Sequence, residues 1–433
     1  MTEQVAQKNP TTLEEVEREI NDLYLIKDKG VIRIILAAVI ANILGISAKP
    51  VWLLLLAGSS GGKTVLLQLL DGLKEYIMPI DELTVNTMAS GYKGSREEVS
   101  LLHKANGLIL VFKDFTTLLS MNKENLRTVM GQFRAIYDGS YEKKTGNAGD
   151  VSWAGKIGII AGGTTSVQRL MRQYTDQGER FINYLIEQPD PIEMTTRAIF
   201  NRKNIKEKEE SIKNNVADWV RGTLASASRE NFDIPEDIQK EMILIANFST
   251  LARSPVKMNF KDEEVEFVPE REMPARMATM LTNLALTFII MNPEGVLAPA
   301  DATILYKCAL DSIPSDRRLI LRLLTQYKTG STKSLAVALN YPTNPVRNWC
   351  SQLTALGMLV RRAKGEGSSD TWTLLDEWRE IMHKYEGIEM KEVALTVTEE
   401  EELKMDNLSA ERDQELMKKI LENDKADAIF DSL

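Results

Sequence analysis

Two cysteines and two histidines are all that this chain of 433 residues has of the side chains that most often bind metals or attack substrates. Cys308 and Cys350 are too few for a disulfide framework and have no ligand-type neighbours at metal-binding spacing, so a reducing cytoplasm is the expected compartment. With His103 and His383 alone, neither a histidine-built metal centre nor a histidine-dependent catalytic triad is expected. Long hydrophobic runs are lacking too. The apolar stretch Val31–Leu44 is broken by Arg33 and is too short to span a bilayer, so it reads as a buried helix beside the first strand. Residues 1–30 are polar and charged, without the pattern of a signal peptide, and no membrane partner is expected. Internal repeats are absent, and the only low-complexity tract is Glu399–Glu402.

Basic charge is also scarce, since the net charge is −9. Its distribution is uneven: Lys391–Leu433 holds 13 acids against 6 bases, a net of −7, which leaves about −2 for the rest. Any nucleic-acid surface must therefore be local, a pore or a single face, and not a basic coat.

What is present is ordinary in composition, with 43% hydrophobic and 27% charged residues, and the length predicts two or three domains. Apolar runs at 51–56, 76–80, 107–112, 157–161 and 181–186 alternate with helical patterns, which predicts an α/β sheet of largely parallel strands. The expected order is a helical lead-in over 1–48, with Thr12-Leu13-Glu14-Glu15 as a capped helix start, and then a nucleotide-binding core over 49–200. A helical lid region follows over 201–312, with a charged insert at 203–210, an irregular acidic segment at 261–273 and a long helix from Ala275 to Met291. Residues 313–380 read as a winged helix: a helix near 316–328, the N-cap pair Ser331-Thr332 and a helix to Leu339, a second helix over Asn344–Leu356, and a hairpin of Gly357–Arg362 with Thr371–Leu374. Residues 331–375 hold 5 bases and 2 acids, and an acidic tail, partly helical or weakly structured, is expected over 381–433.

The strongest motif lies in VWLLLLAGSSGGKTVLLQLL, residues 51–70. A buried strand, a Gly/Ser loop and an amphipathic helix follow one another, which is the setting that makes a phosphate loop credible. Gly58, Ser59, Ser60, Gly61, Gly62, Lys63, Thr64 and Val65 are the expected ATP-binding residues. Backbone N–H groups of the glycine loop converge on phosphate oxygens, Lys63 neutralises β- and γ-phosphates, and Thr64 ligates Mg2+. Ala57 stands where the first glycine of the pattern falls, and the competing reading is a loop without a ligand. The strand Gly107–Phe112 ends in Lys113-Asp114, where an acid at the sheet's carboxyl edge serves the metal, orients water, or does both. A plain turn aspartate is the alternative. The run Lys156–Ala161 leads to Thr164 and Thr165, either of which could bond the γ-phosphate or the attacking water, or cap the strand. Tyr137–Gly146, between the acid strand and the Thr strand, is basic, aromatic and interrupted by glycine; the bland reading is an exposed hairpin with solvated lysines.

This order of elements, together with Gly178-Glu179-Arg180-Phe181, resembles AAA+ ATPases. Within them it is similar to the minichromosome-maintenance-like helicases of bacterial mobile elements and phages. The resemblance spans about residues 30–375, is specific at the phosphate loop and is weaker elsewhere. It implies that Arg180 is an arginine finger reaching a neighbour's γ-phosphate, and hence a homo-oligomeric, hexameric ring. It implies a second nucleotide-reporting arginine at the lid, Arg276 in Glu272-Met273-Pro274-Ala275-Arg276, with Arg253 as competitor. Tyr141, Lys143 and Lys144 would then line the pore along single-stranded DNA. In the winged unit Thr343, Arg347, Asn348 and Trp349 lie on the recognition helix, with Arg361, Arg362 and Lys364 beside the wing. They contact DNA phosphates, or the unit docks a replication protein and Trp349 is core. The reduction of an acid pair to Lys113-Asp114 bears on catalytic rate more than on binding. The implied function is an ATP-driven DNA helicase or translocase for replication of a mobile element or phage. The alternatives are an ATP-switched DNA-binding initiator that assembles without unwinding, and a protein remodeller in which Tyr141 matters more than the lysines.

Overall fold

The structure is a computed structural model that describes residues 12–58, 61–82, 84–88, 100–144, 151–172, 179–188, 190–201, 204–227, 233–259, 265–363 and 369–398. Ser59, Ser60, Thr145, Gly146, Gly178, Lys364 and the tail 399–433, all named above, lie outside the described residues.

The chain is mixed α/β and divides into two compact units, Met1–Pro255 with Glu272–Ile313, and Val256–Arg271 with Pro314–Leu433. In the first unit the strands are β1 (Trp52–Leu56), β2 (Ile77–Ile80), β3 (Ile109–Phe112), β4 (Ser140–Lys143), β5 (Val151–Ala154), β6 (Gly158–Gly163) and β7 (Ile182–Leu185). Five of them form a central sheet in the order β2-β3-β6-β1-β7, and every pairing in it is parallel. β4 and β5 pair only with each other, as an antiparallel hairpin with Tyr141 opposite Trp153.

A parallel sheet must be covered on both faces, and the sequence supplies the cover. All of β1, β3 and β6 is buried. One face carries an aromatic core in which Trp52 meets Tyr137 edge-on at 5.1 Å and Phe115 stacks on Phe133 at 5.9 Å. The Trp52 indole donates to Ile157 O at 2.8 Å, so burying its N–H leaves no orphan. The apolar stretch around Arg33 is the helix Gly30–Leu44, apolar on nearly all sides and buried. The Thr12 start is realised as a capping box, with Glu15 N donating to the Thr12 hydroxyl and Thr12 N donating to Glu15. Helices Pro191–Phe200, Ile205–Ser226, Glu236–Arg253, Ala275–Met291 and Pro299–Asp311 complete the unit. In the charged stretch 203–210 the residues from Ile205 onward are the first turns of a helix, held by Tyr24 donating to Glu209 at 2.9 Å.

In the second unit β8 (Lys257–Met258) and β9 (Val265–Phe267) form a small antiparallel ladder, and β9 falls in the segment 261–273 read as irregular. The helix Ser315–Gln326 leads into β10 (Tyr327–Ser331), and the helices Thr332–Leu339 and Thr343–Ala355 follow. The expected hairpin is β11 (Leu359–Arg362) with β12 (Thr371–Leu374). β10 joins it antiparallel to β12, a strand the sequence reading had merged into the preceding helix. Residues 381–395, expected within the acidic tail, belong to this unit: the helix Asp376–Glu386 and β13 (Lys391–Leu395) close the sheet in the order β11-β12-β10-β13. Buried Arg379 holds them, donating to Thr325 O at 3.0 Å and Lys391 O at 2.8 Å. Among the described residues no helix is long and apolar enough to cross a membrane.

Arg33 explains how an arginine can interrupt a buried helix. Its guanidinium donates to Glu17 at 2.6 Å and to Asp301 at 3.0 Å. Burial pushes both carboxyls up, and Arg33 opposes that. Removing one partner of such a set leaves uncompensated buried charge, so Arg33→Met is expected to cost about 3–5 kcal/mol of stability. The mutant loss is fully present above the raised carboxyl pKa values and shrinks as Glu17 and Asp301 take up protons. Urea unfolding at pH 8 and pH 5 should show the larger loss at pH 8.

Candidate functional site

β1, β3 and β6 end at the same edge of the sheet, and their carboxyl ends bring the sequence motifs together. In α/β sheets this edge is where ligands bind. Beyond β1 come Ala57 and Gly58, and Gly61 and Gly62 lead into the helix Lys63–Gln68. Gly62 sits at φ +77°, a left-handed conformation that favours glycine, and a Cβ at Gly58 or Gly62 would meet nothing within 4 Å. Leu66 N–H bonds Gly62 O at 3.1 Å, so the amides of Gly62, Lys63, Thr64 and Val65 head the helix without an acceptor inside it. Such amides and the helix dipole suit an anion.

The substitution of Ala57 for the usual glycine is absorbed by packing. Ala57 is buried, and a Cβ on Gly61 would lie 2.8 Å from the Ala57 methyl and 2.7 Å from the Gln188 side-chain oxygen. Glycine at 61 therefore makes room for both neighbours, and Gln188, just past β7, lies directly on the loop.

The Lys63 ammonium folds over the loop, donating to Gly58 O at 2.7 Å and Ala57 O at 3.0 Å. Burial pushes its pKa down, and the charge of Asp114 opposes the shift, so the two groups share one field. Asp114 is exposed at the end of β3, where its Oδ1 accepts from Thr116 N–H at 2.7 Å and caps the short 3-10 helix Phe115–Ser120. Gly162, near the end of β6, closes the arrangement: a Cβ there would stand 2.9 Å from Lys113 O and 3.5 Å from the Lys63 Cβ. The sequence reading missed Gly162 and Gln188; the paired glycines inside a strand pattern were the available signal for the first. Thr164 and Thr165 are half-buried at the same edge, Thr164 O accepting from Val167 N–H at 2.9 Å at the head of the helix Thr165–Arg172. Thr64 is exposed.

Among the described residues no group of three or more His, Cys, Asp or Glu could hold a metal alone. The residues fit Mg2+ in one manner only, with the Thr64 hydroxyl and the Asp114 carboxylate supplementing phosphate and water oxygens. A cavity of about 1200 Å³ also lies in the first unit, lined by Asp28, Gly30, Tyr184, Glu187 and Trp219 among others. Glu187 is the chain neighbour of Gln188.

Arg180 and Arg276 are not with this group. Arg180 precedes β7 and so sits at the opposite edge, where Asp138 lies 3.7 Å from its Nη2. Lys49, just before β1, donates to Asp138 O at 3.0 Å, which fixes the same edge from a second strand. Five residues of β1 separate the edges by about 16 Å. Arg276 reaches Glu272 and the carbonyl of Glu179, each at 3.5 Å. Arg253 makes a two-pronged bond to Glu272 at 2.9 and 2.8 Å, with only 4% of its side chain exposed against 29% for Arg276. Glu179 accepts from the N–H groups of Arg180 and Phe181 at 3.0 and 3.1 Å, and burial pushes its carboxyl up. Burial pushes the Arg180 guanidinium down, and Arg276 adds to that shift. The result is a cluster of like charges held by acids.

On β4, Tyr141 and Lys143 share one face, and Lys144 follows the strand as an exposed residue. Tyr141 is half-buried against the core, which pushes its phenol up and limits its freedom to stack on a base. In the second unit, Arg347 and Arg362 are exposed. Arg361 pairs with Asp370 at 2.8 Å and lies over the Trp372 ring. Trp349 packs edge-on against Tyr341 at 5.0 Å, and Asn348 Oδ1 is buried without a hydrogen-bond partner.

Neither a protein-family model nor a curated protein matches this chain.

The geometry separates two arginines that the sequence left as rivals. Arg253→Met leaves the buried Glu272 carboxylate only its longer contact with Arg276 and should cost about 3 kcal/mol in thermal unfolding. Arg276→Ala removes a partly exposed group with a long ion pair and should cost about 1 kcal/mol or less.

Proposed function

We propose that the chain is an ATP-hydrolysing AAA+ motor that works as a ring on single-stranded DNA, as a helicase or translocase. The observation that carries this reading is the meeting of Gly58, Gly61, Gly62, Lys63, Thr64, Asp114 and Thr164 at one edge of the sheet, with Arg180 and Arg276 at the other. Lys63 and the loop amides bind the phosphates, and Thr64 with Asp114 holds Mg2+, which when bound draws charge off the γ-phosphate. Asp114 or Thr164 orients the attacking water. Arg180 cannot serve its own loop across about 16 Å of sheet. It serves the loop of a second copy, with Arg276 beside it, and repetition of that head-to-tail contact closes a ring, hexameric in the family this chain resembles.

Residues 314–398 serve as a winged helix, with the helix Thr343–Ala355 presenting Arg347 and the hairpin presenting Arg362 to phosphates. Arg361 is committed to Asp370 and contributes less. The pore contact falls chiefly to Lys143 and Lys144 on the hairpin, with Tyr141 supporting it from below.

A second reading, an ATP switch that assembles on DNA without unwinding it, is favoured by one observation. Asp114 is a lone acid whose Oδ1 already accepts a backbone N–H. ATPase assays with and without single-stranded DNA test both. The motor reading expects a rate that rises with DNA and is abolished by Lys63→Ala. Slow, DNA-dependent assembly without strand displacement would select the switch, and a rate indifferent to DNA would remove DNA as the substrate of the motor.

A further inference from the structure

The helix Pro191–Phe200 turns its polar side inward and its apolar side out. It follows β7 at the carboxyl edge, where the Asp190 side chain caps it by accepting from the N–H groups of Ile192 and Glu193 at 3.0 Å each. Its contacts with the rest of the unit are polar. Arg197 donates to Asn21 O at 2.7 Å, and Asn201, the residue after the helix, donates to Asp22 O and Leu23 O at 3.0 and 3.1 Å. These carbonyls close the helix Leu13–Tyr24, whose last turn needs donors from outside. The opposite face carries Ile192, Thr196, Ile199 and Phe200, spaced as one helical stripe. Ile192 is 77% exposed, Ile199 58% and Phe200 79%. A surface helix ordinarily does the reverse, and an apolar stripe rimmed by polar groups marks a surface that another chain covers.

Place and charge indicate which chain. Asp190 is two residues beyond Gln188, and the Gln188 side chain lies against Gly61 of the loop, so the stripe flanks the candidate nucleotide site. Glu187, Asp190 and Glu193, all exposed, rim its start. The amino edge of the sheet offers cations to meet them: Lys49 is exposed there and Arg276 is partly so. Met273, three residues before Arg276, is 72% exposed and offers an apolar group beside those cations. We propose that Ile192, Ile199 and Phe200 form the docking surface for the amino edge of a second copy of this chain, with Met273 of that copy packed on the stripe. This rests on the functional reading above, because the same head-to-tail contact brings Arg180 to the neighbour's loop. Exposed ion pairs add little, so the apolar stripe supplies the adhesion, and the acids and cations set its orientation.

Glutamine at the three positions removes the stripe without weakening the helix, because Gln is at least as good a helix former as Ile or Phe. In sedimentation velocity with ATP and Mg2+ the wild-type chain should assemble. The variant Ile192→Gln/Ile199→Gln/Phe200→Gln should unfold at the wild-type Tm but need a concentration about ten-fold higher or more to assemble. A second measurement identifies the occupant. With a photoreactive benzoylphenylalanine in place of Phe200, illumination should join two copies through the peptide that carries Met273. Assembly of the triple variant at the wild-type concentration, or cross-links confined to one chain, overturns the docking surface and leaves the motor reading standing. Assembly that depends on the stripe in a chain without ATPase activity removes the motor reading and leaves the docking surface. A wild-type chain that stays monomeric with ATP and Mg2+ overturns the ring and the docking surface together.

Discussion

A parallel sheet has two unlike edges, and that polarity constrains this molecule more than any single contact. Every strand of the central sheet enters at one edge and leaves at the other. The chain's phosphate-loop motif, its strand-terminal aspartate and its threonines all follow strands, so they collect at the carboxyl edge. Lys49, the hairpin and Arg180 all precede or interrupt strands, so they collect at the amino edge. Cross-strand packing fixes the distance between the two groups, and no side-chain rotation closes it. A nucleotide site that needs both groups needs two copies of the chain.

Buried charge is the second constraint. Arg33, Arg253 and Arg379 are each largely withdrawn from water and each is answered by carboxylates or carbonyls. Such sets add little net stability compared with apolar residues of the same size, but they fix geometry, since breaking one leaves a charge with no solvent. Arg253 fixes Glu272, and Glu272 in turn lies beside Arg276 at the start of the helix Ala275–Met291. Arg180 differs from these. Its ion pair with Asp138, at 3.7 Å, is longer than these, and the Asp138 side chain is half-exposed.

The parallel sheet was legible because its strands are short runs of Leu, Ile and Val bounded by Gly, Pro and charged residues, and because a Gly/Ser loop between a strand and a helix reads locally. The hairpin and its partner strand were legible from glycines and charge. β10 was hidden because the helix expected near 316–328 covers its first residues, Tyr327 and Lys328, and its partners β12 and β13 lie about forty residues or more further along the chain. β13 was hidden because its strand ladder is settled by Arg379, far from it in pattern if not in chain, while local composition read as acidic tail. At the candidate site, the positions that carry a motif can be read locally, and those that act by lacking a side chain or by long-range packing cannot. Gly162 matters because Lys113 O stands where its Cβ would be, and no local pattern encodes that. The choice between Arg253 and Arg276 likewise turns on burial, which a helix N-terminus of Pro274-Ala275-Arg276 does not reveal.

The central claim is a site shared between copies, with Lys63 from one and Arg180 from the next. Mixing two defective proteins tests it most directly. Lys63→Ala and Arg180→Ala should each be inactive alone, and mixing them should restore ATPase activity, greatest near equal amounts, because some neighbouring pairs then contain one intact loop and one intact arginine. A mixture inactive at every ratio, or an Arg180→Ala protein with the wild-type rate, would contradict the account.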